Sequence, residues 1–455
     1  MTKISSETWK QKLEGILGTG NLSFQPDGRH EGLWASLSPK AVAIPENREQ
    51  VCELIRLASS ERLRVLSFGS GTKLRLGGIP QPVDLAISLE RLNKICDYPA
   101  SDLTISAEAG VPIRAMSATL TAKGQMLPLD VPFAERATIG GTIAVNINGP
   151  RRLAYGSWRD IVLGVQFVTA EGKLAKGGGK VVKNVAGYDI PKLMIGSFGT
   201  LAVILEITFK VFPIPPASLT IALQFPSAEL AAQAALRIVH SALLPQALDL
   251  ADSRAGALVN HPELSSAPCT LLAGVAGPEP VLERFERELP ALVRPQSLER
   301  FKLYRGEDES KLWNAIQEMP AAFLKAHPGG MVVKASIPLS KTGGFIQKGR
   351  AICDEQGLAH ATLARAGSGI VYLHLWPESV EQDIVNRPLV TASDRLIREA
   401  EMLGGRAIVE WCPSELKSNV NLWGTLGDDF TSMRQLKAAL DSQKILNPGR
   451  FYGGI

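Results

Sequence analysis

The sequence predicts an α+β protein of 455 residues, with a glycine-rich mixed region followed by an antiparallel sheet covered by helices. Three observations predict it. Short strand-like apolar runs alternate with stretches of helical apolar spacing along the whole chain. Glycine-rich corners crowd the part before Thr200 and thin out after it. Pro213, Pro215 and Pro216 close a long strand and mark the first boundary.

In chain order, PENREQVCELIRLASSERL has helical spacing after Pro45, and RVLSF is a short strand running into GSGTK, which puts Gly69 to Lys73 in a strand-to-loop turn. VDLAISL and DLTISAEAG read as strands, the second ending at Gly110 before a helical VPIRAMSATLTAKG. IVLGVQFVTAEGKLAKGGG reads as two strands around Glu171-Gly172, and TLAVILEITFKVFPIPP as a long strand. Beyond it, ELAAQAALRIVHSALL, PEPVLERFERELPALV and GGFIQKGRAICDEQG are expected helices among the strand-like LLAGVAG, MVVKASIPL and GIVYLHLW. A last helix, DDFTSMRQLKAALDSQK, precedes ILNPGRFYGGI.

Composition narrows the function classes. An apolar fraction of 45% with 21% charged residues is that of a globular protein. The net charge of +4 comes from 49 basic and 45 acidic residues without basic blocks, so no nucleic-acid partner is expected. Cys52, Cys96, Cys269, Cys353 and Cys412 are odd in number and far apart, which indicates neither a disulfide framework nor a Cys-x-x-Cys site. A reducing, cytoplasmic compartment follows as the expectation. MTKISSETWKQKLEG has no apolar core for a signal peptide, and Leu201 to Phe225 is interrupted by Glu206, Lys210 and prolines, so no transmembrane segment is expected. His30, His240, His261, His327, His360 and His374 are not paired at ligand spacing, and no metal site is expected.

Three stretches point to a large anionic cofactor. Gly177 to Thr200 combines three close glycines with Asn-Val-Ala-Gly and Gly-Ser-Phe-Gly-Thr turns, which suits backbone wrapped closely around a ligand. Phe68-Gly69-Ser70-Gly71-Thr72-Lys73 can turn consecutive N–H groups and two hydroxyls toward a pyrophosphate. It is neither a Rossmann fingerprint nor a Walker loop, and a plain tight turn accounts for it equally well. Leu127 to Asp160 gathers Gly140-Gly141, Asn146, Asn148, Gly149-Pro150 and Arg151-Arg152, a set suited to a diphosphate and a polar heteroaromatic ring.

Together with Asn447-Pro448-Gly449-Arg450, these stretches closely resemble the PCMH-type FAD-binding domain of the vanillyl-alcohol-oxidase flavoproteins, from about Pro45 to Pro213 and again at the C-terminus. In GQMLPLD, ATIGGTIAVNINGPRRLAYGSWRDIVLGV and KVVKNVAGYDIPKLMIGSFGTL the chain is most similar to the FAD-binding accessory subunit of glycolate oxidase. The resemblance implies a two-lobed FAD-binding domain over 1–215, an α/β cap over 216–412 and a segment, 413–455, returning to the first domain. It implies that Gly69, Ser70, Gly71, Thr72 and Lys73 hold the pyrophosphate. Thr138, Ile139, Gly140 and Gly141, with Asn146, Asn148, Gly149, Pro150 and Arg151, would line the ring and ribityl chain. Gly156, Asp160, Val182, Gly187 and Tyr188 would complete the wall, and Asn447 and Arg450 would join from the terminus. Relatives that attach flavin covalently carry histidine where this chain has Thr72, so the FAD is expected to be non-covalent.

Catalytic relatives have a His-Ala-Gly-Asp-Gly-Asn-x-His segment for a metal and a Gly-Glu-His-Gly motif for a base. Here the matching segments are Arg365 to Tyr372 and Val409-Glu410-Trp411-Cys412. Arginine and phenol do not replace two imidazoles at a metal, and tryptophan is no base. Arg365, His360 and His374 remain as candidate catalytic groups, each with an ordinary structural explanation beside it. The resemblance implies an FAD-binding subunit of a multi-subunit glycolate (2-hydroxy-acid) oxidase, with a catalytic flavoprotein and an iron–sulfur subunit as partners and any membrane attachment through the complex. Two alternatives stay open: a self-sufficient FAD dehydrogenase of glycolate, D-lactate or another small 2-hydroxy acid, and a non-catalytic scaffold.

Overall fold

The computed structural model describes residues 6–24, 38–180, 187–378 and 386–455. Asn47 starts the first long helix of the glycine-rich region, Arg48–Glu61, by accepting a hydrogen bond from Gln50 N, and Arg62 ends it in the left-handed region at φ 54°. Its inner face, including Val51, Leu54, Ile55 and Ala58, is buried. The chain then enters Val65–Phe68, an edge strand of a four-stranded sheet in which Ala41–Ala43 and Leu85–Ser88 run parallel to it or to each other. Both faces of Leu85–Ser88 are buried, as expected of a central parallel strand.

A second, five-stranded antiparallel sheet has Val203–Lys210 at its centre, between Thr104–Glu108 and Val162–Val168, with Ile95–Asp97 and Leu174–Gly178 at the edges. The expected hairpin around Glu171-Gly172 is the last pair of strands, with Gly172 at φ 73°. One apolar core joins the two sheets and also takes in Phe323, Val332 and Trp411 from later in the chain.

Every strand of the third sheet lies between Ala217 and Trp411, and its eight strands are all antiparallel. Four amphipathic helices, Ala228–Val239, Glu279–Val293, Thr342–Glu355 and Asn386–Met402, cover one face and enclose a separate core. Shorter helices, Gly306–Gln317 and Met319–Ala326, lie against the other face and reach the first two sheets. There Glu318 accepts hydrogen bonds from Phe133 N and Ala134 N at 2.9 and 3.1 Å, and Gln317 donates to Val131 O at 2.9 Å.

After Trp411 the chain returns to the first sheet. Leu446 forms a parallel bridge with Val65, Val65 N donates to Ile445 O at 2.7 Å, and Asn447 N donates to Val65 O at 2.8 Å. Among the described residues no helix is long and apolar enough to cross a membrane, and no group of three or more His, Cys, Asp or Glu could hold a metal ion.

Candidate active site

Two cavities meet the residues singled out in the sequence. The first lies between the two small sheets and is lined by Gly69, Ser70, Gly71, Thr72 and Lys73, by Thr138, Gly140 and Gly141, by Phe198 and Gly199, and by Asn447 and Arg450. The turn after Val65–Phe68 can approach the Thr138 loop because residue 69 is glycine: a Cβ there would stand 2.1 Å from Thr138 Oγ1. Thr138 caps the short helix Ile139–Val145 by accepting from Gly141 N, so this helix points its N-terminus at the cavity wall. Asn447, at φ 42°, ties both walls together: its Oδ1 accepts from Ser67 N at 2.9 Å and its Nδ2 donates to Phe198 O at 2.6 Å.

The electrostatics of this cavity call for an anion. Arg450 is 2% exposed; its Nη2 donates to Leu76 O at 2.6 Å, while Nε and Nη1 have no partner among the described residues. Burial pulls its pKa down to about 10, so it remains a cation at neutral pH. Ser70 Oγ is likewise buried without a partner. Burial lowers the Lys73 ammonium to about 7, against a pull in the other direction from the Glu318 carboxylate. An uncompensated buried guanidinium and an idle hydroxyl are costly on their own, and a diphosphate satisfies them. The residues present therefore fit a dinucleotide cofactor.

The second cavity lies where the eight-stranded sheet faces the first two. Arg365, Tyr372, His374, Glu410 and Trp411 of the sheet line it, opposite Pro132, Ile147 and Asn148, with Gln317 and Pro320 at one side. The two segments compared above with the histidine motifs of catalytic relatives thus converge on one space. Arg365 is buried and pairs with Asp249 through Nη1. Glu410 accepts from Lys334 Nζ at 3.1 Å. Burial draws His374 down to about 4, which leaves a neutral imidazole. His360 does not face this cavity: it sits on the opposite side of strand Leu358–Arg365, with Nδ1 3.7 Å from Asp354 Oδ1 of a covering helix.

Other sequence candidates are spread differently. Ile139 is fully buried and turned from the first cavity. Asn146, at φ 54°, accepts from the Asn148 side chain through its backbone and side-chain oxygens at 2.8 and 3.1 Å. Gly149 and Pro150 lead into Arg151, whose Nε donates to Asp130 Oδ1 at 2.8 Å. A Cβ on Gly149 would meet Asp130 O at 2.2 Å. Gly156, Asp160, Gly187 and Tyr188 line neither cavity. The Asp160 carboxylate caps its own helix by accepting from Ser157 N at 2.7 Å, and Tyr188 is 93% exposed. Val182 lies outside the described residues. Asp130, Asp249, Lys334 and Glu318 were not singled out, since nothing near them in the sequence marks their distant partners.

This pair of small sheets, closed by a returning terminal segment and roofed by a large antiparallel sheet, defines a flavin-binding class of protein. The sequence matches an FAD binding domain over residues 39–178 and the C-terminal domain of FAD linked oxidases over 214–451. The chain belongs to the FAD-linked oxidase family, is an oxidoreductase of the glycolate oxidase and D-lactate dehydrogenase type, and takes FAD as its cofactor. It is 27% identical to glycolate oxidase subunit GlcD of Bacillus subtilis, over 91% of this chain and 89% of that one, and 29% identical to D-lactate dehydrogenase of Archaeoglobus fulgidus, over 90% of each. To glycolate oxidase subunit GlcE of Escherichia coli it is 41% identical over 38% of this chain and 49% of that one. p-Cresol methylhydroxylase has the same fold, with a TM-score of 0.78 at 15% identity over 99% of this chain and 97% of that one. Membership of an oxidoreductase family sets aside the scaffold alternative.

Proposed function

We propose that this chain is an FAD-carrying subunit of a multi-subunit glycolate oxidase, in which a companion catalytic flavoprotein oxidises the 2-hydroxy acid and an iron–sulfur subunit receives electrons. The observation that carries the reading is the second cavity: Arg365, Tyr372 and Trp411, which the resemblance matches to the metal-binding and basic histidines of catalytic relatives, all line it. Similarity to both GlcD and GlcE supports membership of such a complex. In this reading the chain works in the cytoplasm and meets a membrane only through its partners.

Gly69, Ser70, Gly71, Thr72 and Lys73, with Arg450, would hold the diphosphate. Thr138 to Gly141 and Asn146 to Arg151 would flank the ribityl chain and ring, with Asn447 fastening the two walls. Thr72 offers no imidazole for attachment, which supports a non-covalent FAD. Bound FAD supplies a two-electron acceptor that can release its electrons singly. Arg365 and Tyr372 would exclude water from the ring, and His374, a neutral imidazole, would not serve as a general acid at neutral pH.

Lys73 supplies a first test of the cofactor site. A diphosphate favours the charged ammonium, whose pKa without an anion is about 7. Binding above that pH must take up a proton, so affinity for FAD is expected to fall by up to about tenfold per pH unit from pH 7 to 9. Fluorescence titration of FAD into the stripped chain reads this slope, and Lys73→Met is expected to flatten it. A flat wild-type profile would remove Lys73 from the diphosphate.

The function itself is tested by anaerobic absorbance titration of the FAD-loaded chain with glycolate and D-lactate. The flavin band is expected to stay oxidised until the partner subunits are added. Bleaching by the chain alone would establish the second reading, a self-sufficient dehydrogenase, which the full-length similarity to D-lactate dehydrogenase favours.

A further inference from the structure

We propose that the second cavity binds a small neutral hydroxyl compound of the primary-alcohol type and discriminates against carboxylates. The inference deepens the function proposed above and rests on it for the absence of hydroxy-acid oxidation in this cavity. Two charged side chains line the space, Arg365 and Glu410, and each is already neutralised by a partner behind it. Arg365 is held by Asp249, which is fully buried, and Glu410 by Lys334. Close by, Arg151 is committed to Asp130. A carboxylate entering here would lose its hydration without meeting a free counter-charge, and would stand near anions already in place.

What the cavity does offer is hydrogen bonding. Arg365 Nε and His374 Nδ1 are buried, belong to side chains 7% and 1% exposed, and have no partner among the described residues. One is a fixed donor; the other, on a neutral imidazole, donates or accepts according to its tautomer. A hydroxyl group, which both donates and accepts, satisfies the pair, whereas a carboxylate only accepts. On the side of the eight-stranded sheet the apolar wall, Val332, Leu363 and Trp411, suits a short carbon chain.

Ethylene glycol and glycolate are similar in size and differ in charge, so titration calorimetry of the FAD-loaded chain with each is the direct test. Ethylene glycol is expected to give saturable heat that Arg365→Leu abolishes, with glycolate at least about tenfold weaker. Asp249→Asn frees the guanidinium and is expected to reverse the order; should that variant fail to fold, Glu410→Gln frees Lys334 and is expected to act in the same direction. Tighter binding of glycolate than of ethylene glycol to the wild-type chain would overturn the proposal, as would heat from neither probe. Glycolate that binds more tightly than ethylene glycol without reducing the flavin defeats this inference alone, whereas reduction of the flavin also defeats the proposed function.

Discussion

Gly71→Asp is expected to leave the protein folded and free of flavin, with less than about a tenth of the wild-type FAD content after purification. Residue 71 has φ 77° and lines the first cavity between Ser70 and Thr72. Any side chain there carries a backbone cost of roughly 1–2 kcal/mol, and a carboxylate adds repulsion toward a diphosphate in a poorly solvated space. The backbone cost falls on the folded protein with or without flavin, but the repulsion alone, roughly 4 kcal/mol for like charges about 4 Å apart near a protein surface, exceeds the roughly 1.4 kcal/mol that corresponds to about tenfold in affinity. Gly71→Ala, which brings the backbone cost without the charge, is expected to retain more flavin. The eight-stranded sheet has its own core, so its share of the circular dichroism should be unchanged. Full flavin content in Gly71→Asp would take the Gly69 to Lys73 turn out of the cofactor site.

Asp441→Ala is expected to destabilise the protein by about 3–5 kcal/mol, the usual consequence of stripping one partner from a buried ion pair. Asp441 is fully buried and accepts from Lys437 Nζ at 2.7 Å, Ile445 N at 3.0 Å and Leu446 N at 2.8 Å. Lys437 in turn donates to Thr200 O at 2.7 Å and Leu446 O at 3.0 Å. This cluster sets the path of Ile445 to Asn447 beside Val65, so flavin affinity should fall along with the melting temperature. Asp441→Asn keeps an acceptor and should lie between. Thermal melts with and without FAD check both effects; an unchanged melting temperature would show that the returning segment is held by other contacts.

Local signals were legible in the sequence and distant pairings were not. The turn at Gly69 to Lys73 and the hairpin at Glu171-Gly172 are each written within a few consecutive residues, whereas the short helix Ile139–Val145 after Thr138 is not. The helix Gly306–Gln317 is weakly marked in the sequence, since of its buried residues Glu309, Leu312 and Ile316 only the last two are apolar. Arg365 with Asp249, Glu410 with Lys334 and Glu318 with the Phe133 loop are joined only by the fold. On strand Leu358–Arg365, residues 360 and 365 differ by an odd number, so alternation along the strand already puts His360 and Arg365 on opposite sides of the sheet.

The route of the terminal segment bears on biosynthesis. Ser67 N and the Asn447 side chain that receives its hydrogen bond are 380 residues apart, and Arg450 reaches Leu76 across 374. A chain leaving the ribosome N-terminus first therefore displays the glycine turn long before the residues that close over it, with the entire large sheet made in between. Cofactor capture must wait until translation is almost finished. Until then, the half-built pocket depends on slow, long-range closure of the kind that makes nascent chains clients of cellular folding assistance.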